Sequence, residues 1–450
     1  MTPATASALS DSALAICIFS VLLVPFALAG LSLINAGLGR SRSAAHSMLA
    51  SLCVLAVAAL VYFACGFAWQ GFNGRPAHLL TVAGRQWSWI ADQPFFFRGL
   101  ELDGSAASLS AWLQMLSVGL AALIPLGSGA DRWRLSASCL STALLAGCTY
   151  PLFAHWVWGG GWLAQLGINY GLGHGFVDAG GSSSIHAVGG LTALAIVWIL
   201  GPRRGKYTMD GMPTAIPGHN TVFVLFGCLL ALVGWLGLNC AGAILFTGVE
   251  AGRVVLIAVN TTLAAASAAL TAAAITRLRF GKPDASLSAN GWVGGLVASS
   301  AACAFVNPAA AVSIGLAAGV LVTFTIEWLE SRLAVDDPAG AISVHAAAGC
   351  WGVLALGLFA RFPGPALNTV SNSRLWPGGA DAGQWMAQLV GIATLLGFVL
   401  PLTYSLNWLL NRFYPQRVAE EGERQGMNLY ELGAGAYPEF VTYTDGFPQR

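Results

Sequence analysis

Eleven apolar runs, each about 18–28 residues long, dominate this chain, at about 13–35, 47–69, 107–128, 136–156, 184–202, 220–247, 252–275, 289–306, 309–328, 341–361 and 384–411. At a rise of about 1.5 Å per residue such a run crosses a hydrocarbon slab of about 30 Å. In lipid every backbone N–H and C=O must be satisfied internally, so each run predicts a helix. Only 9% of the 450 residues are charged and 56% are hydrophobic, too few charges to give a chain of this size a water-facing surface. The sequence therefore predicts an all-α polytopic membrane protein with eleven transmembrane helices.

The stretch before Ala13 carries no Lys or Arg, so it lacks the basic region of a signal peptide, and the first run reads as the first span. The net charge of +1 argues against a nucleic-acid partner, and the nine cysteines form no CxxC pair. They read as small core residues, and no cofactor is expected. With the N-terminus outside, 15 of the 21 Lys and Arg residues fall in inner loops and the tail, and six fall outside. The positive-inside rule then favours N-out and C-in. The expected division is a membrane domain over 1–411 and a cytoplasmic tail over 412–450.

Two histidines sit inside look-alike stretches, Ser184-Ile185-His186-Ala187-Val188-Gly189-Gly190 and Ser343-Val344-His345-Ala346-Ala347-Ala348-Gly349, each with an aspartate eight residues upstream, Asp178 and Asp337. Span 5 enters from outside and span 10 from inside, so the matching stretches run in opposite directions. Two inverted five-helix repeats follow, about 13–202 and 220–361, with the helix at 384–411 outside them. Eight residues of helix place each imidazole about 12 Å from its aspartate, so both converge on the midplane. One histidine on an apolar helix is commonly a satisfied core residue, but its repetition favours a pore. The neighbouring Gly and Ala residues allow close helix approach, so one ring nitrogen can donate to the other. Both aspartates suit helix N-caps, Asp337 with Pro338 in a first-turn position. At Asp178 a cap and a role at a pore mouth are compatible.

The segments Trp156-Val157-Trp158-Gly159-Gly160-Gly161-Trp162, Gly175-Phe176-Val177-Asp178-Ala179-Gly180-Gly181, Gly234-Trp235-Leu236-Gly237-Leu238-Asn239 and Asp336-Asp337-Pro338-Ala339-Gly340, in this order, resemble the ammonium transporter family (Amt/Mep/Rh). The resemblance implies a homotrimer of eleven-helix subunits in the cytoplasmic membrane, with a pore in each subunit. It makes His186 and His345 the midpore pair, Trp158 part of an outer ammonium site and Asp178 the carboxylate that shapes that site. A Trp face attracts a cation by about 0.5–2 kcal/mol, which suits the role, although interfacial tryptophans are also common membrane anchors.

There are departures from the family pattern. Ser117 and Leu238 stand where many bacterial members stack two phenylalanines over the pore, and Gly242 stands where many offer a serine hydroxyl. Phe63 or Phe153 are candidates to compensate. Arg417, Glu421, Arg424, Gly426 and Tyr437 resemble the family's regulatory tail, which implies a PII signalling protein as partner; the bland alternative is a solvated tail. The aromatic loop Gln70–Ala106 is expected to cover the outer vestibule or pack between subunits.

The expected function is ammonium or ammonia transport, with a non-conducting ammonium receptor or a Rh-like neutral gas channel as alternatives. Enzyme chemistry is not expected. The sequence has no GxxxxGKS phosphate loop and no nucleophile elbow, and Asp178 and Asp337 lie too far from the histidines to complete a metal shell.

Overall fold

The computed structural model describes residues 9–363, 381 and 383–437, so the predicted tail from residue 438 onward lies outside the described residues. Ten helices among them are long and apolar enough to cross a membrane. In the first half these are α1 (Asp11–Leu38), α2 (Ser41–Gln70), α3 (Ala106–Ser128), α4 (Leu135–Trp158) and α5 (Ser182–Leu200). The second half begins with α6 (Thr221–Thr247) and α7 (Ala251–Phe280), followed by the 16-residue α8 (Ala285–Ser300). It continues with α9 (Pro308–Leu333), α10 (Ile342–Phe359) and α11 (Gln384–Phe413). The apolar run at 289–306 is longer than the helix it forms. After Ser300 the chain turns, and Asn307 caps α9 by accepting from the Ala310 amide, with Pro308 in the first turn.

The expectation of an all-α chain needs one correction. Within the loop 70–106, β1 (Ala77–Val82) and β2 (Arg85–Ala91) form an antiparallel hairpin. His155 near the end of α4 pins it: its Nδ1 lies 2.8 Å from the Gln70 carbonyl and its Nε2 lies 3.0 Å from Ser88 Oγ. Trp89 packs on Trp156 with ring centroids 5.0 Å apart, and Trp156 Nε1 donates to the Trp89 carbonyl. Alternating aromatic residues such as Trp87 and Trp89 suit a pleated strand, and an apolar-run reading does not register so short a pair.

The two halves pack alike. α1 lies on α6, and a Cβ on Gly30 would meet the Gly227 carbonyl at 2.5 Å while one on Gly227 would meet the Gly30 carbonyl at 2.6 Å. Contacts of α3 with α1, α2 and α5 are matched by contacts of α8 with α6, α7 and α10. Small residues at such crossings let dispersion contacts hold helices together where lipid supplies no hydrophobic drive.

Where α4 and α11 carry proline after their midpoints, at Pro151 and Pro401, the preceding turn widens to π geometry (Leu145–Thr149 and Leu395–Val399). The missing proline N–H leaves a carbonyl without its usual partner beside each of these turns, although Pro25 in α1 and Pro125 in α3 sit in regular helix.

Candidate functional site

Both histidine helices start in the same unusual way. Asp178 Oδ1 accepts from the amides of Gly181 and Ser182, and Oδ2 accepts from the Ser183 amide, the Ser183 hydroxyl and the Ser184 amide. Asp337 accepts from the Ile342 amide at 2.7 Å and from Ser128 Oγ at 2.7 Å. Three residues after each aspartate a glycine takes a left-handed backbone, Gly181 at φ 96° and Gly340 at φ 67°. The next residues wind as a π turn, Ser182–Ala187 and Ile342–Ala347, and each turn contains its histidine. The capping role of both aspartates therefore holds. Two details differ from expectation: Pro338 lies before the helix, and a turn replaces half of the eight-residue helical path, because the left-handed glycine lets the chain double back onto the carboxylate.

The two imidazoles meet. His186 Nδ1 and His345 Nδ1 are 3.3 Å apart, with ring centroids at 5.3 Å and planes at 29°. Glycine makes the approach possible, since a Cβ on Gly349 would come within 2.5 Å of the Ser182 carbonyl and one on Gly190 would collide with the Ala346 backbone. Trp235 stacks flat on His186, centroids 4.9 Å apart and planes at 8°, and is held by its Nε1 donating to Ser300 Oγ. Among the described residues no side chain or backbone group bonds His186 Nε2. On the other side of the pair a small cavity is lined by Leu31, Asn35, Asn290, Val344 and His345. Neutral imidazoles in this contact have one ring donating and the other accepting, so a proton taken up at the donor ring's outer nitrogen can shift the shared proton across the hydrogen bond and release another from the acceptor ring's far nitrogen.

Toward the hairpin end, Trp158 closes α4. Its Nε1 donates to the Asp178 carbonyl at 2.6 Å, so the residue that caps α5 also fixes the indole. Gln388 of α11 clamps the same segment by donating to the Val177 carbonyl and accepting from the Val177 amide.

A sequence profile of the Ammonium Transporter Family matches residues 15–437. The chain belongs to the ammonium transporter family. It is 40% identical over 426 residues to the ammonium transporter Amt2 of Archaeoglobus fulgidus, covering 93% of this chain and 86% of that one. It is 30% identical to an ammonium transporter of Bacillus subtilis, over 94% and 97% of the two chains. Among solved structures it superposes on a sensor Amt protein with a TM-score of 0.81 at 27% identity, covering 94% and 98%. Mep2 of Candida albicans shares the fold, with a TM-score of 0.77 at 23% identity and coverage of 97% and 93%.

In this family member the departures lie deep in the packing. Ser117 is fully buried and donates to the Leu113 carbonyl, and Leu238 is equally enclosed. Gly242 faces the Ala179 carbonyl so closely that a side chain there would displace the loop between Asp178 and Gly181. The glycine thus permits a backbone approach in addition to lacking a hydroxyl. The two suggested compensators sit elsewhere: Phe63 packs on Phe96 and Phe97, and Phe153 packs on Trp156 and Phe176. The ring that does reach Trp158 is Phe246, stacked at 4.3 Å and 17°. Neither Phe246 nor Trp235 was singled out as a site residue from the sequence. Phe246 is discoverable there, because it falls one helical turn after Gly242 and two after Leu238, on one face of α6.

The tail folds back on the opposite end of the bundle. Arg417 donates to the carbonyls of Leu200 and Pro202 and pairs with Glu423, whose other oxygen accepts from the Arg204 amide. Gly426, at φ 97°, lies against Arg42, which donates to the Arg424 carbonyl. Tyr437 OH lies 3.2 Å from His219 Nε2, whereas Glu421 is exposed and accepts from Gln425 Nε2 within its own turn. Two anchors were missed in the sequence, Glu431 on His46 and the Leu135 amide, and Asn428 on the His46 amide.

Proposed function

We propose that this protein moves ammonium across the cytoplasmic membrane by separating ammonia from its proton. Ammonium reaches an outer site at Trp158, shaped by Asp178, and there loses one proton. Neutral ammonia passes the apolar lumen, the proton travels through the His186–His345 pair, and the two recombine on the far side, so one charge crosses per ammonium. Potassium matches ammonium in size but has no proton to give up, so a dry lumen rejects it on chemical grounds. The observation that carries this reading is the direct 3.3 Å contact between the two buried imidazoles, which provides a proton path where a naked cation would be costly.

The same reading takes the chain as eleven spans in two inverted repeats plus α11, N-out and C-in, with a membrane domain over 1–411 and a cytoplasmic tail after it. It takes the assembly as a homotrimer whose tail, through Arg417, Glu421, Arg424, Gly426 and Tyr437, meets a PII-type partner. The matched contacts of the two halves and the docked tail support this arrangement.

A receptor that binds ammonium without conducting it is the second reading. It is supported by an outer tryptophan only 5% exposed and by the likeness to a sensor Amt protein. Current on a solid-supported membrane separates the two. With purified protein in liposomes, an ammonium jump is expected to give a current that a matched potassium jump does not, and His186→Ala is expected to abolish the current or its selectivity. Ammonium binding without any current would overturn transport in favour of the receptor.

A further inference from the structure

The indole of Trp158 is anchored at its edge and covered on its face. Its Nε1 is tied to the Asp178 carbonyl, so it cannot rotate toward the solvent without breaking a buried hydrogen bond. Phe246 lies flat on it, and a centroid spacing of 4.3 Å at 17° is ring-on-ring contact that leaves no room for an ion between the two. The unanchored partner of the stack is Phe246, whose side chain has no polar atom to tie it in place. It is half-buried in the last turn of α6, two residues before Gly248 ends the helix at φ 65°, and Gly248 itself is exposed. The two positions on the same helical face beneath it are Leu238 and Gly242, neither of which presents a ring.

We propose that Phe246 is the lid of the outer ammonium site: the cation gains the Trp158 face only when the Phe246 ring swings off it. This rests on the outer-site assignment made under Proposed function. The lid sets apparent affinity through the cost of opening. A binding-competent state that is open only part of the time weakens apparent affinity by the open fraction, so removing the lid tightens it, by roughly threefold or more if the site is open less than about a third of the time. The opened ring can also flank the cation from the other side, but the closed stack makes its first effect a barrier.

The test uses the full-length protein labelled with 5-fluorotryptophan, the Trp158 resonance being assigned by its loss in Trp158→Phe. The fluorine shift difference between H2O and D2O reads the water exposure of that ring without any ligand. It is expected to be near zero in the parent protein and to grow in Phe246→Ala, while Phe246→Leu, which keeps most of the bulk, stays near the parent. Ammonium is then expected to perturb the Trp158 resonance of Phe246→Ala at a concentration at least threefold lower than in the parent. An isotope shift that stays near zero in Phe246→Ala, beside a normal ammonium current, overturns the lid alone. A weaker ammonium response in Phe246→Ala also overturns it, making the ring a ligand. A Trp158 ring opened to water that ammonium still does not perturb overturns the outer-site assignment itself.

Discussion

At the residue scale Asp178 is a carboxylate with no capacity left over. Four backbone amides and one hydroxyl bond its two oxygens, and it is 1% exposed. Its role is therefore positional: it holds the start of α5, and its own carbonyl holds Trp158. Asp178→Asn keeps the size but turns an amide donor toward groups that are themselves donors. It is expected to destabilise the fold by ~2–4 kcal/mol, the cost of disrupting buried hydrogen bonds to a charged acceptor. A lowered melting temperature in detergent, with altered ammonium response only as a consequence, checks this; an unchanged melting temperature refutes the capping account. The sequence made the aspartate visible by its distance from the histidine. That its oxygens point into the helix end required the folded turn, because Gly181 decides the direction of the chain there.

At the element scale the site is a property of two helices that cross. α5 and α10 begin with the same Asp, glycine and π-turn arrangement, and the Gly and Ala residues after each histidine let the two backbones touch. Gly190→Val is expected to prevent that approach, because its side chain would occupy the Ala346 backbone position. The expected result is a poorer yield of folded protein and, in whatever folds, loss of ammonium current with the imidazoles parted. Gly397→Ala, on α11 with an ordinary backbone conformation and no heavy atom within 4 Å of the added carbon, serves as the control for glycine replacement in general. Sequence pattern located both helices to within a few residues. It could not reveal the π turns at their starts, because no proline marks them as one does at Pro151 and Pro401.

At the scale of the whole molecule a buried charge network ties the loops at the tail end. Arg203 pairs with Asp336 through two hydrogen bonds of 2.9 and 3.0 Å and with Asp131 at 3.1 Å, while Arg132 donates to the carbonyls of Gly201 and Asp336. Burial pulls the Arg132 guanidinium down to about 10, with Asp336 opposing. Burial pushes the Asp336 carboxyl up, but the hydrogen bond and charge of Arg203 and the charge of Arg132 more than offset it, so it lies below its ordinary value. Glu431 follows the same pattern, with burial opposed by His46 and the Leu135 amide, and also lies low. A carboxyl depressed on folding contributes stability above its unfolded value and loses it as pH falls through the folded value. The melting temperature is therefore expected to hold from neutral pH to the ordinary carboxylate range and to fall below it. Asp336→Asn is expected to melt lower at neutral pH and to show a shallower acid decline. A parent protein with no acid decline would refute the sign.

The eleven apolar runs and their spacing determined where the helices would lie, because in lipid an apolar run of sufficient length has no other way to satisfy its backbone. The paired histidines, their aspartates and the tail arginine were likewise legible, since each is a costly residue in its setting and stands out against the apolar background. The tertiary structure alone decided which nitrogens meet, that Ser117 and Leu238 are enclosed, and that Phe246 covers Trp158. Those depend on side chains brought together from different helices, and a pattern read along one chain carries the period of each helix but not the rotation of one against another.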